Sequence, residues 1–302
     1  MDKLLVGIMG LFRIAQSVTN KKISGFTATL RQKVYFGVLF ESAAALFSFV
    51  YLFIFGFYGI DKFTLIFSFL TGLGFLAELL SSLAALNRAP LSLCTICALG
   101  GGVVLPAIFG IFFFGEPLSV IQWFGIAMFL LSAWLITPKS SADKSFSIVS
   151  ALPFIIINFL VNGALSIIGK YYAVCVTESN PALFSCISYA FAAAMFGIFL
   201  LAISRRAKTD HATKFPKKFY ALSAFVGAVC ATIVFLSVLL AKTVPIVILN
   251  TVPTAICILG SAFIGHLFFR EKITKRALLG VILGIASIVA VLCTSSLLGI
   301  GG

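Results

Sequence analysis

Three ionisable side chains, Arg13, Glu41 and Glu78, stand inside long apolar runs. A charge placed in hydrocarbon costs at least about 2.5–3.5 kcal/mol, so such a residue normally turns toward the interior of a helix bundle and finds a partner there. A guanidinium binds a carboxylate or a phosphate, and a carboxyl kept neutral by burial can carry a proton. The competing use of the same residues is a buried ion pair that ties the first helices together. With predicted helices over 4–19, 34–57 and 64–86, Arg13 and Glu41 each lie roughly 10 Å, and Glu78 roughly 13 Å, from the same membrane face. An Arg13–Glu41 pair with Glu78 in reach is therefore geometrically allowed. The later part of the chain adds Asn158, Asn162 and Asn250 within apolar spans and Lys170 at the end of one. An amide can bond a solute or a neighbouring helix, and a terminal lysine can face a cavity or snorkel to the interface. The sequence thus proposes Arg13, Glu41, Glu78, Asn162, Lys170 and Asn250 as a substrate-binding set. His266, near a helix end, can titrate but reads more simply as an interfacial residue.

These residues sit in a chain that is 61% hydrophobic and only 10% charged. A water-soluble fold could not cover that much apolar surface, so most of the surface must meet lipid. In a chain of 302 residues, ten spans of about 20–25 residues leave no room for a second, soluble domain. The net charge of +13 would suggest nucleic acid in a soluble protein. Here the basic residues fall between apolar runs, where they set membrane orientation instead. The seven cysteines are odd in number and lie almost entirely in apolar runs, which argues against a disulfide framework. Cys94 and Cys97 form a C-x-x-C, but inside a span and with no histidine nearby, so they read as buried thiols. Leu4–Leu11 is apolar but is followed by Arg13 and no small-residue cleavage site, so it reads as a first helix, shorter and more marginal than the others.

The remaining helices are predicted at 90–114, 119–137, 146–171, 180–203, 219–241, 245–269 and 277–298. Pro90 and Pro245 stand at early helical positions, which suit proline. Pro106 and Pro253 fall inside spans and should bend them. Gly100–Gly102 permits close helix packing or local unwinding, with packing the favoured reading. The segment from Arg205 to Lys218 is the longest basic loop.

The chain also repeats itself. Gly72 and Gly227 are 155 positions apart, as are Pro90 and Pro245, Gly110 and Gly265, Glu116 and Glu271, and Gly125 and Gly280. At an offset of 149, Ser17 and Lys21 match Ser166 and Lys170, and Arg13 aligns with Asn162. Five matches at one spacing, in one order, indicate a duplicated unit. Each half would hold five helices, so the halves would cross the membrane in opposite directions. The fold class expected is an all-α polytopic membrane protein of ten transmembrane helices, built as two inverted five-helix repeats over 1–140 and 141–302.

The turn Gly115-Glu116-Pro117-Leu118-Ser119, followed by Gln122-Trp123-Phe124-Gly125, resembles the EamA-type signature of the drug/metabolite transporter superfamily. Arg270-Glu271-Lys272-Ile273-Thr274 with Gly280 is similar to its second copy, and Gln16-Ser17 to Asn20-Lys21 resembles the first helix. The resemblance covers nearly the whole chain. It implies ten helices around a cavity open to one side at a time. It also implies substrates among amino acids, sugars, nucleotide-sugars or amphipathic drugs, and a lysine near position 170 that faces the cavity. Glu116 and Glu271 read as helix-end structure, with gating as the family analogue.

Of the 22 lysines and arginines, 17 fall in the odd-numbered loops; Lys3 is at the N-terminus, Lys62, Lys170 and Lys242 are in even loops, and Arg13 is within a span. The positive-inside rule then places the odd loops in the cytoplasm and both termini outside, whereas the resemblance implies cytoplasmic termini. The expectation is a secondary transporter of a small organic metabolite in the plasma (inner) membrane. It would be surrounded by lipid, be coupled to protons, another ion or exchange, and have neither cofactor, metal nor nucleic-acid partner. It would not be an enzyme. A flippase for a lipid-linked substrate and a non-transporting membrane sensor are the rivals.

Overall fold

The protein is described by a computed structural model covering residues 2–57, 59–89, 91–137, 148–176, 179–206, 215–269 and 274–297. The described residues form ten helices: α1 (Asp2–Ser24), α2 (Leu30–Phe55), α3 (Lys62–Leu86), α4 (Leu91–Phe113), α5 (Val120–Ile136), α6 (Ile148–Cys175), α7 (Pro181–Arg206), α8 (Lys217–Leu240), α9 (Ile246–Phe269) and α10 (Lys275–Leu297). Eight of them are long and apolar enough to cross a membrane, and α5 is a shorter apolar helix. The chain is a multi-pass membrane protein. The segment 207–214, Pro90, the turn at 270–273 with Glu271, and the expected repeat boundary at 140/141 lie outside the described residues.

One expectation needs correcting. α1 is not short: it runs 23 residues, to Ser24. Its second half, Gln16 to Lys22, is too polar to register as an apolar span, yet it continues the same helix. Several helix starts have local causes. Thr29 caps α2, its hydroxyl accepting from Gln32 N–H while the Gln32 amide oxygen accepts from Thr29 N–H. Ser119 and Gln122 make the same reciprocal box at α5. Thr274, which aligns with Ser119 at the 155 offset, accepts from Ala277 N–H at the start of α10. Each box satisfies amides that a helix start leaves without partners.

The helices sort into two compact units. Unit 1 comprises 1–11, 77–170 and 240–302, and unit 2 comprises 12–76 and 171–239. Each draws on both halves of the sequence.

In unit 1, α5 packs along α10. Gly125 lies against Val291, Gly284 against Ser132, and Gly280 against Ile136. One number rises as the other falls, so the two helices are antiparallel. A Cβ on Gly125 would come 2.9 Å from Val291, and one on Gly280 would come 2.8 Å from Ile136. Glycine is thus what lets the two helices approach. Ser132 Oγ uses that closeness to donate to the Gly280 carbonyl at 2.7 Å. α4 crosses α6 where a Cβ on Gly101 would strike the Phe159 backbone. Within the glycine run, then, Gly101 serves close packing. α1 meets α9 in the same unit, Gly10 against Ile256. The offsets seen in the sequence also relate the residues of these two crossings: Gly101 and Ile256 are 155 positions apart, and Gly10 and Phe159 are 149 apart.

In unit 2, α2 runs antiparallel to α7. Gly37 faces Phe196, Ser48 bonds Ser185 at 2.8 Å, and Leu52 clusters with Ala182 and Leu183. Gly72 of α3 packs on α7 at Ala192, while Gly227 of α8 packs on α2 at Ala43 and Ala44.

Candidate functional site

The turn after α4 builds a buried polar contact in unit 1. Gly115 takes φ +63°, a conformation that favours glycine. The chain then folds back so that Glu116 N–H donates to the Gly110 carbonyl at 3.0 Å. This aims the Glu116 carboxylate at the first residue of α9. Its Oε2 accepts from Ile246 N–H at 2.8 Å, and its Oε1 is held by Lys170 Nζ as an ion pair. Lys170 also donates to the Val244 carbonyl at 3.0 Å and stands 5.5 Å from the centroid of the Phe114 ring. A carboxylate at a helix N-terminus meets unpaired amides and the positive end of the dipole, and here an ammonium as well. Lys170 is only 5% exposed. Burying it is tolerable because charge and hydrogen bonds are both answered, but removal of either partner would leave a buried charge uncompensated. Gly110 belongs to the same construction, since a Cβ there would come 3.3 Å from Glu116 Oε2 and 2.8 Å from Ile246.

Lys170 ends a polar stripe along α6. Asn158, Asn162, Ser166 and Lys170 follow one another at four-residue steps, the spacing that keeps side chains on one side of a helix. Asn158 reaches α3, donating to the Glu78 carbonyl at 3.2 Å and to Ser81 Oγ at 3.1 Å. Asn162 donates to the Asn158 carbonyl at 2.9 Å and to its amide oxygen at 3.3 Å. Ser166 donates to the Asn162 carbonyl at 3.3 Å. Asn162 also lies beside Gly102 of α4. On α9, the Asn250 amide donates back to the Ile246 carbonyl at 3.0 Å, and Thr254 donates to the Asn250 carbonyl at 2.6 Å.

Glu78, Asn162, Lys170 and Asn250 thus belong to unit 1. Arg13 and Glu41 belong to unit 2. Glu41 is 1% exposed on α2, and Arg13 is half-buried on α1. With the observed helix ends, Arg13 precedes Ser24, and Glu41 follows Leu30, by the same number of residues. Their depths remain matched, at roughly 16 Å rather than 10 Å. Arg13, Glu41 and Glu78 all take part in interactions. The side chain of His266 lies outside the described residues.

Some polar residues escaped the sequence reading. Asn180, before α7, accepts from Ala182 and Leu183 N–H and donates to the Gly56 carbonyl at 3.0 Å. The Tyr172 hydroxyl accepts from Asn180 N–H at 2.9 Å and lies 3.2 Å from Thr64 Oγ1. Together they join the ends of α2 and α6 to the starts of α3 and α7 within unit 2. Asn180-Pro181 was the available signal, a capping residue followed by proline at the first helical position.

No family model and no curated protein matches the chain in sequence. A protein of known crystal structure superposes on it with a TM-score of 0.76, covering 98% of both chains at 12% identity. At that identity the likeness is one of fold.

Proposed function

We propose that this chain is a secondary transporter of the drug/metabolite superfamily, moving a small organic solute across the plasma (inner) membrane by alternating access. In this reading it has ten spans arranged as two inverted five-helix repeats, 1–140 and 141–302. The observation that carries the reading is the reciprocal pairing of helices that correspond under the sequence repeat. α2 is antiparallel to its counterpart α7, and α5 to its counterpart α10. The matched glycines 155 apart exchange roles, Gly72 packing on α7 and Gly227 on α2, Gly125 on α10 and Gly280 on α5. Paired helices of opposite direction are what an inverted duplication produces, and such duplications underlie alternating-access carriers.

The intramembrane polar residues supply the solute contacts. Arg13, Glu41, Glu78, Asn162 and Asn250 remain the proposed binding residues. Lys170 joins them only if its bond to Glu116 opens. Uphill movement would draw on a proton or ion gradient, or on exchange.

The test is a thermal-shift screen of the purified protein against amino acids, sugars, nucleotide-sugars and lipid head groups, run beside Arg13→Ala. A ligand at 100 times its dissociation constant stabilises by about 2.7 kcal/mol. A compound that shifts the wild type and not the variant supports the solute site and names its class. A wild type that no solute shifts, with a variant that merely melts lower, makes Arg13 structural and sinks the reading.

A further inference from the structure

The sequence offered Lys170 as a substrate ligand and Glu116 as helix-end structure; in the fold they are one contact. Three segments meet there: the turn between α4 and α5, the end of α6, and the start of α9. Both carboxylate oxygens of Glu116 are used, one on a side chain and one on a backbone amide. The ammonium of Lys170 likewise bonds one side chain and one backbone carbonyl. Close by, the apolar bodies of α4, α6 and α9 touch at small residues: Gly163 against Leu105 and Gly101, and Gly110 against Ile246. Packed helices can move past one another by small shear steps between discrete arrangements, and a localised polar clasp is well suited to deciding which arrangement holds.

We infer that Glu116 and Lys170 form a latch that closes this end of unit 1 and opens during the working cycle. The inference rests on the transporter reading, because only a protein that changes state has use for a clasp that opens. The latch needs both charges. Without Glu116, the Lys170 ammonium and the Ile246 amide both lose an acceptor. Without Lys170, the carboxylate keeps only one of its two donors. Either loss favours the open arrangement, in which water can answer the stranded group. Val244 reports the state well. It contributes only its carbonyl to the latch, and its side chain is buried while the latch is shut.

The experiment places cysteine at that position, Val244→Cys, in the full chain reconstituted in liposomes. Its modification by a charged methanethiosulfonate reagent is followed by mass spectrometry of the peptide that contains it, so native cysteines do not interfere. The expected result is slow modification in the Val244→Cys background. Modification should be about ten- to hundredfold faster when Glu116→Gln or Lys170→Met is added, the factor a charge-assisted hydrogen bond is worth. The exchanged pair Glu116→Lys with Lys170→Glu should stay fast although its charges are opposite, because it sets an ammonium against the Ile246 N–H and a carboxylate against the Val244 carbonyl; a slow rate in that pair would overturn the latch as described. Equal rates in all variants, whether fast or nil, overturn the latch. If Glu116→Gln fails to fold, Lys170→Met carries the same comparison, and a folded Lys170→Met with an unchanged rate is equally fatal. No solute is needed, so the latch can fail while the solute screen succeeds, and the reverse.

Discussion

Gly125 and Gly280 stand 155 positions apart in the sequence, and each seats its helix against the helix that carries the other. A side chain at either position would have to displace backbone or branched carbons of the partner helix. Substituting leucine at Gly125 or Gly280 should therefore destabilise by about 1–3 kcal/mol, the usual cost of overpacking a tight contact. Thermal melts in detergent measure it. The same substitution at Gly197, where a Cβ would meet nothing within 4 Å, should change the melt little.

Ser48 and Ser185 share a fully buried hydrogen bond between α2 and α7. Ser48→Ala should cost about 1–3 kcal/mol, because it strands the Ser185 hydroxyl away from any water. Replacing both serines with alanine should cost less than the sum of the single changes, and a double-mutant cycle of melting temperatures checks this.

Asn158 holds α6 to α3 through two donated hydrogen bonds. Asn158→Ala should lower stability by about 1 kcal/mol, because it removes both bonds to α3 while Ser81 still donates to the Glu78 carbonyl. Asn158→Asp should be worse, since a carboxylate cannot donate to either acceptor. Urea or thermal unfolding of the purified variants ranks the two.

Glu116→Gln should destabilise less than Glu116→Ala. The amide oxygen can still accept from Ile246 N–H or bond Lys170, although the charge that offsets buried Lys170 is gone. Lys170→Met should restore part of the loss in the Glu116→Ala background, because it removes the ammonium that the first change left alone. Melting temperatures of the two single variants and the double variant decide this.

The sequence made the helices legible to within a few residues, because every span but the first is close to continuously apolar between charged or glycine-rich breaks. α1 was underestimated because a helix can carry Gln16, Asn20, Lys21 and Lys22 without ceasing to be a helix; hydropathy measures lipid contact, and backbone geometry is a separate matter. The start of α2 was placed late for a similar reason: Thr29-Leu-Arg-Gln32 is polar, but it is a capping box. The spacing of Gly72, Gly125, Gly227 and Gly280 was legible because each is a glycine, and all four sit where a Cβ would strike a neighbouring helix. The Glu116–Lys170 contact was not legible. It joins residues 54 positions apart, and nothing local to either residue names the other. Asn162 and Asn250 stand out in the sequence as polar residues within spans, but sequence could not say that their amides would bond back to their own helices. In water such bonds would be unremarkable; in a membrane span they satisfy a donor that has few other acceptors.

Alternating access is the central claim, and Asn162 on the α6 stripe is the position from which to test it. The measurement is the reactivity of Asn162→Cys toward a membrane-impermeant maleimide in right-side-out and in inverted membrane vesicles, read on the peptide that contains it. Modification from both sides is expected, with the proportions shifted in Lys170→Met relative to the unsubstituted latch. Modification from one side only, or from neither, in a variant that melts like the wild type would contradict it.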